Sequence, residues 1–116
     1  GSRYSGIFSN NDNLTKQAVD SGKLCGERVS AFPMDLDYKI ALKSTIADIK
    51  QCSMEPEADH ILAALFLSRF AGKTPWIHMD LSASRNIGGL GAVGSDVTGF
   101  GVAWGLQMIQ TILKNR

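Results

Sequence analysis

Four side chains of the kinds that bind metal ions stand out: Asp59, His60, His78 and Asp80. Zinc catalysis usually uses three protein ligands around an open fourth position. Asp59 and His60 are neighbours in a predicted helix and point about 100° apart, so they converge poorly on one ion. His78 and Asp80 share one face of a predicted strand. They either reach a common site or pair with each other under a loop, and we favour the hydrogen-bonded pair.

A glycine-rich loop follows that strand. It contains Gly88, Gly89, Gly91, Gly94, Gly99 and Gly101. Backbone N–H groups of such a loop can bind phosphate, but neither G-x-x-x-x-G-K-[ST] nor a dinucleotide fingerprint is present. We therefore favour a flexible loop that passes close to other backbone. Asp96 and Thr98 are interpreted as N-cap residues of the next helix.

Nucleophilic side chains are present without the partners that would activate them. Cys25 and Cys52 have no histidine nearby in sequence and are interpreted as small buried core residues. Ser82 and Ser84 come at the end of the predicted strand but lack the G-x-S-x-G elbow. From the residues alone, the chain contains no complete catalytic constellation.

The elements that must position these residues lie in the segment Pro75–Gly101 and the helix after it. Trp76–Leu81 is predicted to be a largely buried strand, with Ile77 and Met79 on one face and His78 and Asp80 on the other. A strand, a glycine loop and an apolar helix in this order are typical of α/β sites, in which ligands bind beyond the carboxyl ends of strands.

The rest of the chain alternates between predicted strands and helices. One strand is predicted around Tyr4–Phe8, either at an edge of the sheet or beginning earlier in the chain. Two more strands are predicted at Glu27–Phe32 and Thr45–Lys50. Predicted helices are Asn13–Ser21 with Gly22 as its stop, one capped by Asp35, Ala58–Phe70 ended by Gly72, and Thr98–Leu113 with Val102, Leu106, Ile109 and Leu113 on one stripe. Gln51–Glu57 is predicted to be a polar loop.

This alternation predicts an α/β fold with a partial mixed, mainly parallel sheet flanked by helices. Only three or four short strands are available, which would leave sheet edges uncovered. We therefore expect residues 1–116 to be one piece of a larger domain.

Composition excludes several classes of partner. The chain has 116 residues, a formal net charge of +1 and 44% hydrophobic residues, without a basic stripe. Nucleic acid and membranes are therefore not expected as main partners. The longest apolar run, Ile61–Leu67, is far too short to span a bilayer. No signal peptide pattern is seen, and the two cysteines form no C-x-x-C motif, so a reduced cytoplasmic location is expected.

In sequence order, several stretches resemble the carboxyl-terminal part of the leucyl aminopeptidase (cytosol aminopeptidase) family. The residues that carry the resemblance are GSRYSGIFSNND at Gly1–Asp12, GERVSAFPMDLDY at Gly26–Tyr38, LKSTIADIK at Leu42–Lys50, AALFLSRF at Ala63–Phe70, PWIHMDLSA at Pro75–Ala83 and TGFGV at Thr98–Val102. Their order and spacing run over nearly the whole chain.

The resemblance implies a part of a metal-dependent enzyme that removes amino-terminal residues from peptides. Family members use two divalent metal ions, manganese or zinc, and form cytoplasmic hexamers. Their metal ligands and catalytic residues precede the part matched here, so the resemblance implies no metal ligand and no catalytic residue in this chain. The fragment would supply scaffold and part of the substrate pocket, and would be inactive without the missing amino-terminal part of the protein.

Two departures from the family concern the site. Ser53–His60 reads SMEPEADH where members have a G-G-R-like loop, and the H-x-D strand continues as Leu81–Arg85 instead of I-A-G. The resemblance places Ser82, Ala83 and Arg85 at the wall of the pocket for the first side chain of the substrate. A guanidinium there would favour acidic or polar side chains. The alternative is a non-catalytic assembly or ligand-binding domain of the same fold.

Overall fold

The computed structural model describes residues 2–54 and 57–115, in which three strands and three α-helices alternate along much of the chain. In chain order the elements are β1 (Ser5–Ser9), α1 (Asp12–Cys25), β2 (Val29–Ala31), a 3-10 helix (Leu36–Leu42), α2 (Asp59–Ala71), β3 (Ile77–Asp80) and α3 (Val102–Lys114). The α/β class is therefore confirmed. Glu55 and Pro56, in the predicted polar loop, lie outside the described residues.

The sheet is mixed, with strand order β2-β1-β3. β1 pairs with β2 in parallel, with Ile7 opposite Ala31, and with β3 in antiparallel, with Phe8 opposite His78. The predicted mixed sheet is confirmed, although parallel pairing accounts for one of the two strand pairs and does not predominate. Of the two alternatives for the first strand, the edge position is wrong, because β1 has a partner on each side.

Successive residues of β1 point to opposite faces and enter two separate cores. Ile7, 0% exposed, packs with Ala18 of α1 and Met108 of α3, and we call this side of the sheet the closed face. Phe8, 1% exposed, packs with Leu42 and α2 on the other side, which we call the open face. The alternation predicted for the third strand is confirmed, since Ile77 and Met79 pack on the closed face and Trp76 on the open face.

Helix α1 is longer than the sequence predicts. The side chain of Asn11 accepts the N–H of Leu14 at 2.9 Å, and the helix continues to Cys25, with Gly26 in the left-handed conformation at its C-cap. The prediction that Gly22 stops the helix is wrong. A Cβ at Gly22 would lie 2.6 Å from both the Glu27 carbonyl oxygen and a Val29 methyl carbon. Position 22 requires a glycine because β2 packs tightly against the helix there.

The predicted strand Thr45–Lys50 is also wrong, because these residues form a series of bends. The Ser44 hydroxyl accepts the N–H groups of Ile46 and Ala47 at 3.2 and 3.1 Å. Bonds of this kind give the backbone a local alternative to a strand ladder. Ile46 is consequently 98% exposed, while Ile49 packs against the open-face core.

The helices on the open face follow the sequence prediction with local differences. The helix predicted after Asp35 is a 3-10 helix, and the Asp35 side chain makes no cap hydrogen bond. Helix α2 confirms the prediction for Ala58–Phe70 to within one residue at each end, and Gly72 occupies its C-cap. Its buried residues are Ile61, Leu62, Ala64 and Leu65.

Helix α3 begins later than predicted, at Val102, and its predicted apolar stripe faces outward. The four stripe residues, Val102, Leu106, Ile109 and Leu113, are 58–77% exposed. The face that packs against the closed-face core carries Trp104, Met108 and Ile112. The helix is therefore apolar on two sides, and the described residues of the chain cover one of them.

Candidate functional site

A cavity lies on the open face, where the helices do not cover the sheet. Its volume is about 470 Å³. The strands contribute Gly6 from β1, Ser30 from β2 and Asp80 from β3. This size is in the range of small-molecule pockets, which hold about 300–1,000 Å³. The pocket exists because the α2 and 3-10 helix layer covers Phe8 and leaves the other end of the sheet open.

Residues next to the strands complete the pocket. Tyr4 precedes β1, Phe32 follows β2, Ser82 follows β3, and His60 comes from the first turn of α2. The Phe32 ring stacks on the Phe8 ring with centroids 5.7 Å apart, and His60 meets Phe32 edge-on at 4.9 Å. Two aromatic contacts therefore fix the Phe32 ring in the pocket wall.

Asp80 is the charged group of the pocket. It is half-buried, and its Oδ1 atom accepts the hydroxyl of Ser82 at 2.8 Å. Within residues 2–54 and 57–115 the salt bridges join Lys16 and Lys23 to Asp20, and none involves Asp80. The carboxylate therefore faces the pocket without a cationic partner from the described part of the chain.

The three residues predicted for the substrate wall are placed in different environments. Ser82 lines the pocket beside Asp80. Ala83 is fully buried, and its N–H donates to the Ser5 hydroxyl at 3.3 Å. Arg85 is exposed in the glycine-rich loop, where its backbone forms an isolated bridge with Val97. Of the three, the structure brings Ser82 to the pocket surface, and the substrate-binding role stays a prediction.

The four candidate metal ligands do not converge. Among the described residues, no group of three or more histidine, cysteine, aspartate or glutamate side chains is arranged to hold a metal ion. The His78 ring stacks on the Trp76 ring at 6.0 Å, and Asp80 is bonded to Ser82 instead of to His78. The favoured His78–Asp80 hydrogen bond is therefore not formed. The metal ions that the family resemblance implies do not fit the side chains described here.

The environment of His78 still reflects the nearby carboxylate. Burial lowers the pKa of His78 below its ordinary value of 6.5, and the negative charge of Asp80 opposes this change by raising it. The first effect is larger, because the ring lies between Phe8 and Trp76. The neutral form of His78 is therefore favoured in the folded chain.

The glycine-rich loop is closed by hydrogen bonds across its own backbone. Leu90 and Val93 exchange two backbone bonds, and Asp96 accepts the N–H of Gly88 at 2.9 Å. A Cβ at Gly89, where φ is 89°, would overlap the Val93 carbonyl oxygen. The close backbone approach expected of this loop occurs within the loop itself, and its flexibility stays a prediction. The bond to Gly88 engages Asp96 within the loop.

The cap of helix α3 comes from a distant residue. One Glu27 oxygen, Oε2, accepts the N–H groups of Gly101 and Trp104, both at 2.9 Å. The prediction that Asp96 and Thr98 cap this helix is wrong, since Thr98 donates its hydroxyl to the Ala83 carbonyl. Nothing local in the sequence points to Glu27. The signal that could have found it is the absence of a capping side chain at Gly101.

The cysteine prediction is wrong for one residue. Cys52 is exposed, and Cys25 is half-buried, with its thiol 3.7 Å from the Gly22 carbonyl oxygen. Neither cysteine forms a disulfide. The described part of the chain contains no helix that is both long and apolar enough to cross a membrane.

Comparison with known sequences gives a consistent match. The profile for the catalytic domain of the cytosol aminopeptidase family matches residues 1–104. The chain is 34% identical over 116 residues to a probable cytosol aminopeptidase of Xanthobacter autotrophicus, covering 99% of this chain and 22% of that protein. It is 39% identical over 103 residues to probable cytosol aminopeptidase 1 of Shewanella oneidensis, covering 88% of this chain and 21% of that protein. The chain therefore spans about a fifth of the length of these relatives.

Two solved structures share the fold of this chain. Bottromycin maturation enzyme BotP superposes with a TM-score of 0.91 at 28% identity, covering 98% of this chain and 26% of that one. A structure of BotP in complex with Mn superposes with a TM-score of 0.89 at 29% identity, covering 97% of this chain and 25% of that one. With the family profile matched over residues 1–104, the chain belongs to the cytosol aminopeptidase family, of whose catalytic domain it represents a part.

Proposed function

We propose that residues 1–116 are the carboxyl-terminal portion of the catalytic domain of a metal-dependent aminopeptidase. The observation that carries this proposal is the match of residues 1–104 to the profile of the family's catalytic domain. The carboxyl-terminal placement is supported by the order of the motifs from Gly1–Asp12 to Thr98–Val102. In this role the chain supplies scaffold and part of the substrate pocket. The parent enzyme would remove amino-terminal residues from peptides in the cytoplasm.

The two divalent metal ions, manganese or zinc, would be bound by the part of the parent that is missing here. Two observations support the assignment of the metal ions to the missing part. A related enzyme is described in complex with Mn, and the described residues of this chain do not assemble a ligand set. The metal would supply Lewis-acid chemistry. The contribution of this chain would be to shape the pocket with Gly6, Ser30 and Phe32 and to present Ser82 at its surface.

The substrate wall would be formed by Ser82, Ala83 and Arg85. Ser82 supports this assignment directly, because its hydroxyl lies at the pocket surface. Ala83 would act through its buried backbone, which ties the end of β3 to Ser5 and Thr98. Arg85 would reach the substrate only from the loop.

The parent would be a homo-oligomer, a hexamer as in the family, and would need the missing part for full stability. The exposed apolar stripe of α3 supports this proposal, because contiguous apolar surface marks contact sites. Sedimentation of the isolated chain should show self-association, or its thermal melting curve should show a broad transition. A monomer at high concentration with a sharp cooperative melt would contradict it.

Activity is tested with the isolated chain and the full-length protein. We expect the purified chain to leave leucine p-nitroanilide uncleaved with added Mn²⁺ or Zn²⁺, and the full-length protein to cleave it in a metal-dependent manner. Chelation should abolish the second activity and leave the first at zero. Cleavage by the isolated chain would refute the proposal that the metal ligands and catalytic residues lie in the missing part of the protein. An inactive full-length protein would favour the alternative, a non-catalytic assembly or ligand-binding domain.

A further inference from the structure

The pocket on the open face has an uncompensated negative charge. Asp80 is half-buried, and no lysine or arginine is among the described residues that line the pocket. Its hydrogen bond to Ser82 satisfies one carboxylate oxygen. A partly desolvated carboxylate is stabilised by a positive group and disfavours a negative one. The charge of the pocket therefore selects for a cation.

The aromatic walls favour the same kind of ligand. Tyr4 is 52% exposed and Phe32 is 40% exposed, and both residues line the pocket that contains Asp80. Rings of this kind attract ammonium and guanidinium groups through their negative faces. Gly6 gives the Phe32 ring its room, since a Cβ at Gly6 would lie 3.3 Å from a Phe32 ring carbon. The walls also offer apolar contact for an alkyl chain.

We propose that this pocket binds the cationic end of a basic side chain, an alkylammonium or guanidinium group, with Asp80 as its counter-ion and Tyr4 and Phe32 as its walls. This differs from the acidic preference predicted from Arg85, because Arg85 lies in the exposed loop and is not among the described residues that line this pocket. That the cation belongs to a peptide substrate rests on the proposed function. Cation binding itself does not.

The first experiment uses the 116-residue chain and three probes of one size. n-Butylammonium, 1-butanol and butyrate are titrated at constant ionic strength, and NMR shifts of Tyr4, Phe32 and Ser82 are followed. We expect n-butylammonium to bind about five- to tenfold more tightly than 1-butanol, and butyrate to bind most weakly. Equal binding of ammonium and alcohol, or shifts located elsewhere in the chain, would overturn the proposal without any variant.

Variants then test whether Asp80 supplies the negative charge that binds the ammonium group. Asp80→Asn should reduce the ammonium-to-alcohol preference to about twofold or less, the part left to the aromatic rings, since the amide keeps the shape and removes the charge. Asp48→Asn is the matched control, because it removes the same charge at an exposed residue that lines a different pocket, and it should leave the preference unchanged. Gly6→Ala should weaken all three probes by displacing Phe32. A preference in Asp80→Asn as large as in the wild type would refute the role of Asp80.

Two further ligands distinguish the sources of the ammonium group. Nα-acetyl-lysine N-methylamide carries it only on the side chain, and norleucinamide carries it only on the α-amine. Tighter binding of the first supports a basic side chain, and equal or tighter binding of the second overturns that assignment. Neither measurement involves metal or turnover. The aminopeptidase proposal therefore stands or fails separately, in the assay of the full-length protein.

Discussion

The two faces of the sheet are built from the same strands and differ in how completely they are covered. On the closed face, α1 and α3 bury Ile7 and Ala83 fully. On the open face, α2 and the 3-10 helix bury Phe8, while Gly6 and Asp80, further along the strands, line a cavity of about 470 Å³. The comparison separates two uses of one sheet. The closed face contributes stability, and the uncovered end of the open face carries polar and charged groups that line a cavity.

Polar groups on the two faces differ in how completely the chain satisfies their hydrogen bonds. Buried polar groups on the closed face have partners within the chain, as when the Ser5 hydroxyl accepts the N–H of Ala83 and the Trp104 indole donates to the Ala18 carbonyl at 2.9 Å. On the open face, Asp80 keeps hydrogen-bonding capacity beyond its bond to Ser82. A satisfied polar group fixes a structure, whereas one with spare capacity can bind something else.

The largest expected effect tests the closed face. Ile7→Ala should lower the free energy of unfolding by about 2–5 kcal/mol, because it leaves a cavity among α1, α3 and the sheet. Ser30→Ala, at the pocket end of the open face, should change it by less than about 0.5 kcal/mol. Urea denaturation followed by tryptophan fluorescence measures both.

Leu106→Ala is the control for the size of the aliphatic deletion, because Leu106 is 60% exposed on the α3 stripe. Its expected effect is within about 0.5 kcal/mol of zero for the monomeric chain. A loss as large as that of Ile7→Ala would show that the stripe is covered in solution, and the contrast between buried and exposed positions would fail for α3.

A smaller effect is expected at the cap that joins β2 to α3. Glu27→Ala should destabilise the chain by about 1–2 kcal/mol, because the N–H groups of Gly101 and Trp104 lose their shared acceptor and its charge at the helix N-terminus. Glu27→Gln keeps an acceptor and should cost about half as much. Glu57→Gln, at an exposed site, is the charge-matched control. Equal stabilities of Glu27→Ala and wild type would show that this cap contributes nothing.

The smallest expected effect concerns pH and the open face. Because burial lowers the pKa of His78, the unfolded chain binds a proton more readily than the folded chain. Stability from neutral His78 is therefore fully present above the unfolded value of 6.5 and is lost as the pH falls through the lower folded value. His78→Gln should remove this component, so the stability difference between wild type and variant should shrink on acidification. A difference independent of pH would contradict burial as the cause.

Local patterns in the sequence determined much of this protein. Alternation placed Ile77 and Met79 on one face and Trp76 on the other, and helical periodicity located α2. These patterns succeed because strand and helix geometry fixes side-chain direction over a few residues. The order of short motifs also indicated the family, which the profile match confirms.

Tertiary structure alone decided the rest, because the deciding contacts join residues far apart in sequence. Gly22 was predicted to stop a helix, but the return of β2 against α1 is what requires it to be small. Glu27 caps a helix 74 residues away, and the α3 stripe faces outward because Trp104, Met108 and Ile112 occupy the packed side. The pocket has the same origin: Tyr4, Phe32, His60 and Asp80 meet there only because β1 lies between β2 and β3 and α2 covers only part of the open face.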